Sequence, residues 1–168
     1  GDPINGEYEI YRTTNGGTTW TLVPGANIAN PLSGEYGYTR GIEVIGDTVW
    51  CTTNTGRILR STNRGQNWSA FTSPIADFGG TSMSANMSFG SGNNGIIVDV
   101  NRVVYRTTNG GQTWTTVTST GTVFSTGLCW IPNTNIVFTT GAGAGASGSS
   151  YSEDGGTSWN IIDTEQHL

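Results

Sequence analysis

Three arginines, Arg12, Arg60 and Arg106, stand in the same short context along the chain. Three guanidinium groups converging on one point would make a carboxylate site, because Arg offers a planar fork of donors. Their shared context argues against convergence. Residues at one position of a repeat are separated by the repeat's own spacing, which makes these solvated arginines of outer strands. Acid chemistry would fall to Asp2, Glu35, Asp77 and Asp99, with Glu43 nearby, all in or beside segments that read as loops. Hydrolysis of a glycosidic bond needs two carboxyl groups roughly 5–9.5 Å apart. Asp2 and Asp99 occupy comparable loop positions and are compatible with such a pair, yet loop carboxylates are ordinarily turn formers. His167, the only histidine, sits at the end of the chain, which excludes Ser-His-Asp, Cys-His and His-rich zinc chemistry. No phosphate-binding glycine loop occurs. The small-residue run GAGAGAS (141–147) reads as a loop. No catalytic residue, metal or cofactor is expected.

Binding chemistry is better represented. In the stretch PGANIANPLSGEYGYTR (24–40), Tyr36, Tyr38 and Arg40 alternate, so they share one face as the chain enters a strand. Two aromatics and a guanidinium suit sugar stacking or a protein contact, and they equally suit covering an edge. Asp77 and Phe78, in the stretch 72–86, offer a second such pair.

The elements that must carry these residues are set by a repeated ten-residue word: YRTTNGGTTW (11–20), LRSTNRGQNW (59–68), YRTTNGGQTW (105–114) and the looser SYSEDGGTSW (150–159). Each word places a hydroxyl, then Asn or Asp, then Gly, then Trp. The four sets are Thr13, Asn15, Gly17, Trp20; Ser61, Asn63, Gly65, Trp68; Thr107, Asn109, Gly111, Trp114; and Ser152, Asp154, Gly156, Trp159. The Asn or Asp side chain accepts backbone N–H bonds within a turn. Gly supplies a positive φ without Cβ strain. Trp restarts the chain as a strand and buries a large ring. The word therefore reads as a hairpin clasp. Its tryptophans recur at intervals of 48, 46 and 45 residues. A period of ~40–50 residues with several short strands per unit predicts a β-propeller, one blade per repeat.

The expected fold is all-β, with four-stranded antiparallel blades. Residues 1–23 supply half a blade, 24–71, 72–117 and 118–163 supply whole ones, and 164–168 lead into another. The second unit illustrates the reading: YTRGIEVI (38–45), TVWCTT (48–53), RILRST (57–62) and WSAF (68–71) as successive strands. No stretch keeps a helical period. Three and a half blades are fewer than the four to eight of a closed propeller. The expectation is that the arc is completed either by the remainder of a longer protein or by a second copy, the former preferred. Cys51 and Cys129 fall two blades apart and are expected to stay unpaired as small buried apolar residues.

The four words at blade spacing resemble the Asp-box, or BNR, repeat of sialidase-like, sortilin-like, xyloglucanase-type and photosystem II assembly-factor-like propellers. The phrasing around GEYEIYRTTNGGTTW and NTGRILRSTNRGQNW is most similar to secreted, multi-domain bacterial surface proteins. The resemblance implies a structural role for the words, on a rim away from the ligand face. Three of the four carry Asn instead of Asp, which disfavours a calcium loop, since such loops use several carboxylates. The sialidase reading also asks for an Arg-Ile-Pro segment, and the sequence has none.

Bulk composition narrows the rest. Only 11% of residues are charged, every basic residue is Arg, and the net charge is −5. Nucleic-acid binding needs basic clusters, so no such partner is expected. No run approaches the ~20 apolar residues of a membrane helix. The sequence opens GDPINGEYEI without an apolar leader, and reads as a processed chain or a piece of a larger one. The expected function is a non-catalytic binding or display module recognising protein or glycan through its inter-blade loops, on a secreted or cell-surface bacterial protein. The rivals are part of a glycoside hydrolase and an assembly-factor-like propeller holding a client protein.

Overall fold

The computed structural model describes residues 2–79, 85–142 and 147–165, except the side chains of Thr39 and Arg40. Fourteen β-strands are present among the described residues. The only helical element among the described residues is a 3-10 turn, Gly25–Asn27. A short ribbon, β1 (Tyr11–Arg12) and β2 (Thr21–Leu22), is followed by three four-stranded antiparallel meanders. The first is β3 (Gly37–Ile45), β4 (Thr48–Thr53), β5 (Arg57–Ser61) and β6 (Ser69–Thr72). The second is β7 (Ala85–Phe89), β8 (Gly95–Asp99), β9 (Val104–Thr107) and β10 (Thr115–Val117). The third is β11 (Gly127–Trp130), β12 (Val137–Gly141), β13 (Gly148–Ser152) and β14 (Asn160–Asp163). These are blades of a partial β-propeller. The chain forms two compact units, Gly1–Gly80 and Thr81–Leu168.

Each clasp closes the hairpin into the outermost strand, as the turn chemistry demands. The hydroxyl of Thr13, Ser61, Thr107 or Ser152 accepts the N–H of the clasp glycine four residues on, at 2.8–2.9 Å. It donates to the Asn or Asp two residues on, at 2.8–3.0 Å. That Oδ1 accepts the N–H four residues further along. Gly17, Gly65, Gly111 and Gly156 all hold φ between 79° and 96°, where a side chain is strained. The Trp ring lies against this glycine, and in the last three clasps its indole N–H donates to the glycine carbonyl at 3.0–3.2 Å.

The strands begin one residue after each Trp instead of at it, and at Trp68 and Trp159 the Trp backbone bonds elsewhere. Trp68 N–H donates to Asn27 C=O and Ala29 N–H to Trp68 C=O, which pairs the linker out of the ribbon with the clasp of the next sheet. Trp159 N–H donates to Thr120 C=O and Thr120 N–H to Thr157 C=O in the same way. These two clasps are thus also the sockets into which the preceding linker of the same unit locks.

Within each unit, one sheet seats its clasp on the sheet before it. In the first unit Tyr8, Val23 and Ile28 pack with Leu59 and Trp68. In the second, Ile96, Val98 and Val104 pack with Val123, Trp130, Val137 and Trp159. Each fully buried Ile or Val is worth about 1.5–3 kcal/mol.

Several expectations are corrected. Arg12, Arg60 and Arg106 are half-buried, not solvated. Arg12 Nε donates to Arg64 C=O at 2.8 Å, reaching the clasp of the next sheet. Trp20 is 60% exposed, whereas Trp68 and Trp159 are 7% and 5% exposed. Trp114 is half-buried. Cys51 is half-buried and Cys129 exposed, both as free thiols. Burial pushes the Cys51 thiol up to about 11. The run GAGAGAS, the stretch 72–86 and the tail with His167 lie partly outside the described residues.

Candidate functional site

An open cleft of about 630 Å³ lies in the first unit. One wall is Asp2, Pro3 and Gly6, and the other is the segment Pro31–Tyr36. The first wall is set by a tight turn. Ile4 and Glu7 exchange both backbone hydrogen bonds around Asn5 and Gly6, whose φ values of 53° and 81° are the left-handed pair that an Asn-Gly hairpin turn requires.

The second wall is fixed by Asn54 at the β4–β5 turn. Its Oδ1 accepts Tyr36 N–H at 2.7 Å, its Nδ2 donates to Gly34 C=O at 3.0 Å, and its own N–H donates to Tyr36 C=O. Beneath lies Glu35, only 2% exposed. Its carboxylate accepts Leu32 N–H at 2.8 Å and the hydroxyls of Thr53 and Thr55, each at 2.7 Å. Arg57 adds Nε at 3.0 Å and Nη2 at 2.9 Å. A buried carboxylate is costly unless its lone pairs are filled, and here five donors fill them. Burial alone would raise its pKa. The bonds from Leu32, Thr53, Thr55 and Arg57 prevail and hold it at about 2. Tyr8 lies beside this pair, its phenol pushed upward by burial and then by the Glu35 charge.

On this rigid floor Leu32 (50% exposed) and Tyr36 (40%) present apolar surface to solvent. Tyr36 and Tyr38 meet edge to face with ring centroids 5.5 Å apart, so the alternation does place them together. Tyr38 O–H donates to Asp77 Oδ1 at 2.7 Å, and Gly79 N–H to the same oxygen at 2.8 Å. The pair of segments singled out in sequence, 24–40 and 72–86, is therefore joined by one hydrogen bond. Phe78 does not belong to the surface. It is 3% exposed, a core residue with no face left for a ligand. The side chain of Arg40 lies outside the described residues.

The other chemistry-bearing residues are held in turns. Asp99 Oδ1 accepts Val103 N–H at 2.8 Å across the β8–β9 turn. Asp154 makes the same clasp as its Asn counterparts. Its slight burial opposes ionisation, but Ser158 Oγ and the N–H groups of Ser158 and Thr157 hold its pKa at about 2. In the amide clasps the Nδ2 of Asn15 or Asn109 donates instead to the hydroxyl of Thr19 or Thr113. Either residue type closes the turn. No cluster of three or more His, Cys, Asp or Glu able to hold a metal occurs among the described residues. No described helix is long and apolar enough to cross a membrane.

The residues missed by sequence reasoning are Asn54 and Arg57. The signal was TTNTGR (52–57), where Thr53 Oγ1 accepts the N–H of Thr55 and of Arg57, the spacing of the clasp hydroxyls again. Here Glu35, from another loop, takes the part that Asn plays in a clasp.

No protein-family model matches the chain, and no curated protein does. Among solved structures it is similar to "YCF48 bound to D1 peptide", at 17% identity and a TM-score of 0.52, over 76% of this chain and 42% of that one. It is also similar to YCF48 from Cyanidioschyzon merolae, at 15% identity and a TM-score of 0.51, over 79% and 39% of the two chains. The chain spans about two-fifths of the length of these structures. At such identity the likeness shows the fold alone, that of a partial β-propeller.

Proposed function

We propose that this chain is part of an Asp-box propeller that holds an extended segment of a client protein in the cleft beside Tyr36. The observation that carries the reading is the cleft itself. Its volume falls in the range of about 300–1,000 Å³ typical of ligand sites. Two exposed apolar side chains, Leu32 and Tyr36, stand on a backbone pinned by Asn54 and the Glu35–Arg57 pair. A rigid wall loses little entropy on binding. A neighbouring structure is named as bound to a D1 peptide, which supports a protein segment as the ligand class. The chemistry favours a segment with an apolar or aromatic side chain for the Leu32–Tyr36 wall and a cationic residue for the Asp2 carboxylate.

Glu35 and Asp2 both line this cleft, and two carboxylates are what a glycosidase would need. Glu35 is unsuited to it. A carboxylate with five donors on it and a pKa of about 2 neither donates a proton near neutrality nor presents a free oxygen to a sugar. Location on a secreted or cell-surface bacterial protein is a further proposal resting on the resemblance alone, tested by surface proteolysis of intact source cells.

Fluorescence anisotropy against a library of short labelled peptides tests the main reading. Tyr36→Ala should weaken the best binder by about tenfold, the effect of truncating one interface anchor, while leaving the folded state intact. Glycan-array binding that is lost in Tyr36→Ala, with no peptide bound at all, would overturn it.

A further inference from the structure

The cleft beside Tyr36 leaves a ligand little backbone to pair with. On the wall Pro31–Tyr36, Tyr36 N–H donates to Asn54 Oδ1 at 2.7 Å, and Tyr36 C=O accepts Asn54 N–H at 3.1 Å. Gly34 C=O accepts Asn54 Nδ2 at 3.0 Å. Leu32 N–H donates to the Glu35 carboxylate, and Leu32 C=O accepts Glu35 N–H at 3.0 Å. That last bond closes a tight turn with Gly34 at φ 72°, so this wall is a turn and not an extended edge. Across the cleft, Ile4 and Glu7 exchange both of their backbone bonds with each other. Pro3 and Pro31, which also line it, have no N–H to give. A client that added itself as a strand would need alternate N–H and C=O groups along an edge. Leu32, Gly34 and Tyr36 are such alternate positions, and all three carbonyls are already taken.

What the cleft does offer is side chains. Leu32 and Tyr36 stand exposed on the pinned wall. The Tyr36 ring meets Tyr38 at an interplanar angle of 86°, and Tyr38 is held in turn by its hydrogen bond to Asp77. The exposed Asp2 carboxylate lines the same cleft, in a chain of net charge −5. A segment whose main chain is buried against such a surface must not bring N–H groups that find no acceptor, because each one left unpaired is costly. Proline brings none. A polyproline II segment also needs no strand partner, since its backbone makes no internal hydrogen bonds and its carbonyls stay with water. With three residues per turn, its prolines at every third position share one face, ~9 Å apart. Aromatic-lined grooves suit such segments, which are already ordered before they bind.

We propose, on the reading of this cleft as a client-binding site, that the segment it holds is proline-rich, in polyproline II conformation, and flanked by a basic residue. Its prolines pack on Leu32 and Tyr36, and its basic residue pairs with the Asp2 carboxylate. The occupied backbone of the walls selects against a β-strand, and the charge of Asp2 selects the flank.

The test is fluorescence anisotropy on the whole chain with two labelled peptides of equal length, both ending in Arg. One carries Pro at every third position between alanines, and the other carries Val at those positions. Wild type should bind the proline peptide about tenfold more tightly, the effect of one buried N–H left unpaired by the valine peptide. This comparison does not depend on any variant folding. Equal binding, or tighter binding of the valine peptide, overturns the inference while the cleft still holds a client. So does binding of neither peptide when others are bound and are lost in Tyr36→Ala. If no peptide of any composition binds, the client reading falls and the inference with it. Tyr36→Ala should weaken the proline peptide about tenfold, and an unchanged affinity, which puts the binding elsewhere, overturns the proposal. Replacing the peptide's Arg by Glu should weaken its binding to wild type severalfold at low salt. Asp2→Asn should shrink that difference, and a preference for Arg unchanged in Asp2→Asn overturns the pairing with Asp2.

Discussion

Glu35 is the most heavily bonded carboxylate described in the first unit, and Glu35→Gln removes its charge while keeping its shape. The variant keeps an acceptor oxygen for some of the donors from Leu32, Thr53 and Thr55. It leaves the Arg57 guanidinium, only 16% exposed, without a counter-ion. Breaking a buried pair by removing one partner costs roughly 3–5 kcal/mol. The partial exposure of Arg57 lowers that to about 2–4 kcal/mol. The carboxylate also gives the loss a pH signature. Its folded pKa of about 2 lies below the free value of 4.5, so its contribution is fully present above 4.5 and is lost as pH falls from there toward 2. Urea unfolding followed by tryptophan fluorescence at pH 7 and again near pH 3 reads both. The gap between wild type and Glu35→Gln should be largest at pH 7 and shrink on acidification. A gap under about 1 kcal/mol at pH 7, the range of an exposed pair, or one that does not change with pH, would refute the account.

Gly156→Ala should destabilise by about 2–4 kcal/mol, since its Cβ would meet Ile96 Cδ1 at 2.6 Å and its φ is 96°. Gly16→Ala, at φ 66° with open space around it, should cost only about 1 kcal/mol, and thermal melts of the two variants compare them directly. Asp154→Asn should change stability by less than about 1 kcal/mol, because three clasps already use the amide. In wild type, NMR should find the Asp154 carboxyl titrating near 2, below the ordinary 3.8. Its contribution is then present above 3.8 and lost as pH falls through 2.

The repeated word carried the architecture in plain sight. Thr107, Asn109, Gly111 and Trp114 close a hairpin by bonds that span no more than four residues, so their spacing in sequence is their geometry. The Trp interval then sets the size of a blade, and alternation put Tyr36 and Tyr38 together because neighbours two apart on an extended chain share a side. Arg12, Arg60 and Arg106 were legible as a repeat but not as contacts. Reaching the next clasp depends on how one sheet is laid on another, and nothing within ten residues of Arg12 reports Arg64.

What the sequence by itself determined is the local: the clasps, the blade count and the unpaired thiols. Only the tertiary structure decided which of the remaining residues count. Glu35 looked like one loop acid among several until folding brought Thr53, Thr55 and Arg57 to it from 18 to 22 residues away. Phe78 looked like a surface aromatic until folding buried it. Trp20 and Trp68 are spelled alike, yet one is bare and the other covered, because burial belongs to the sheet that lies on a residue and not to the word that contains it.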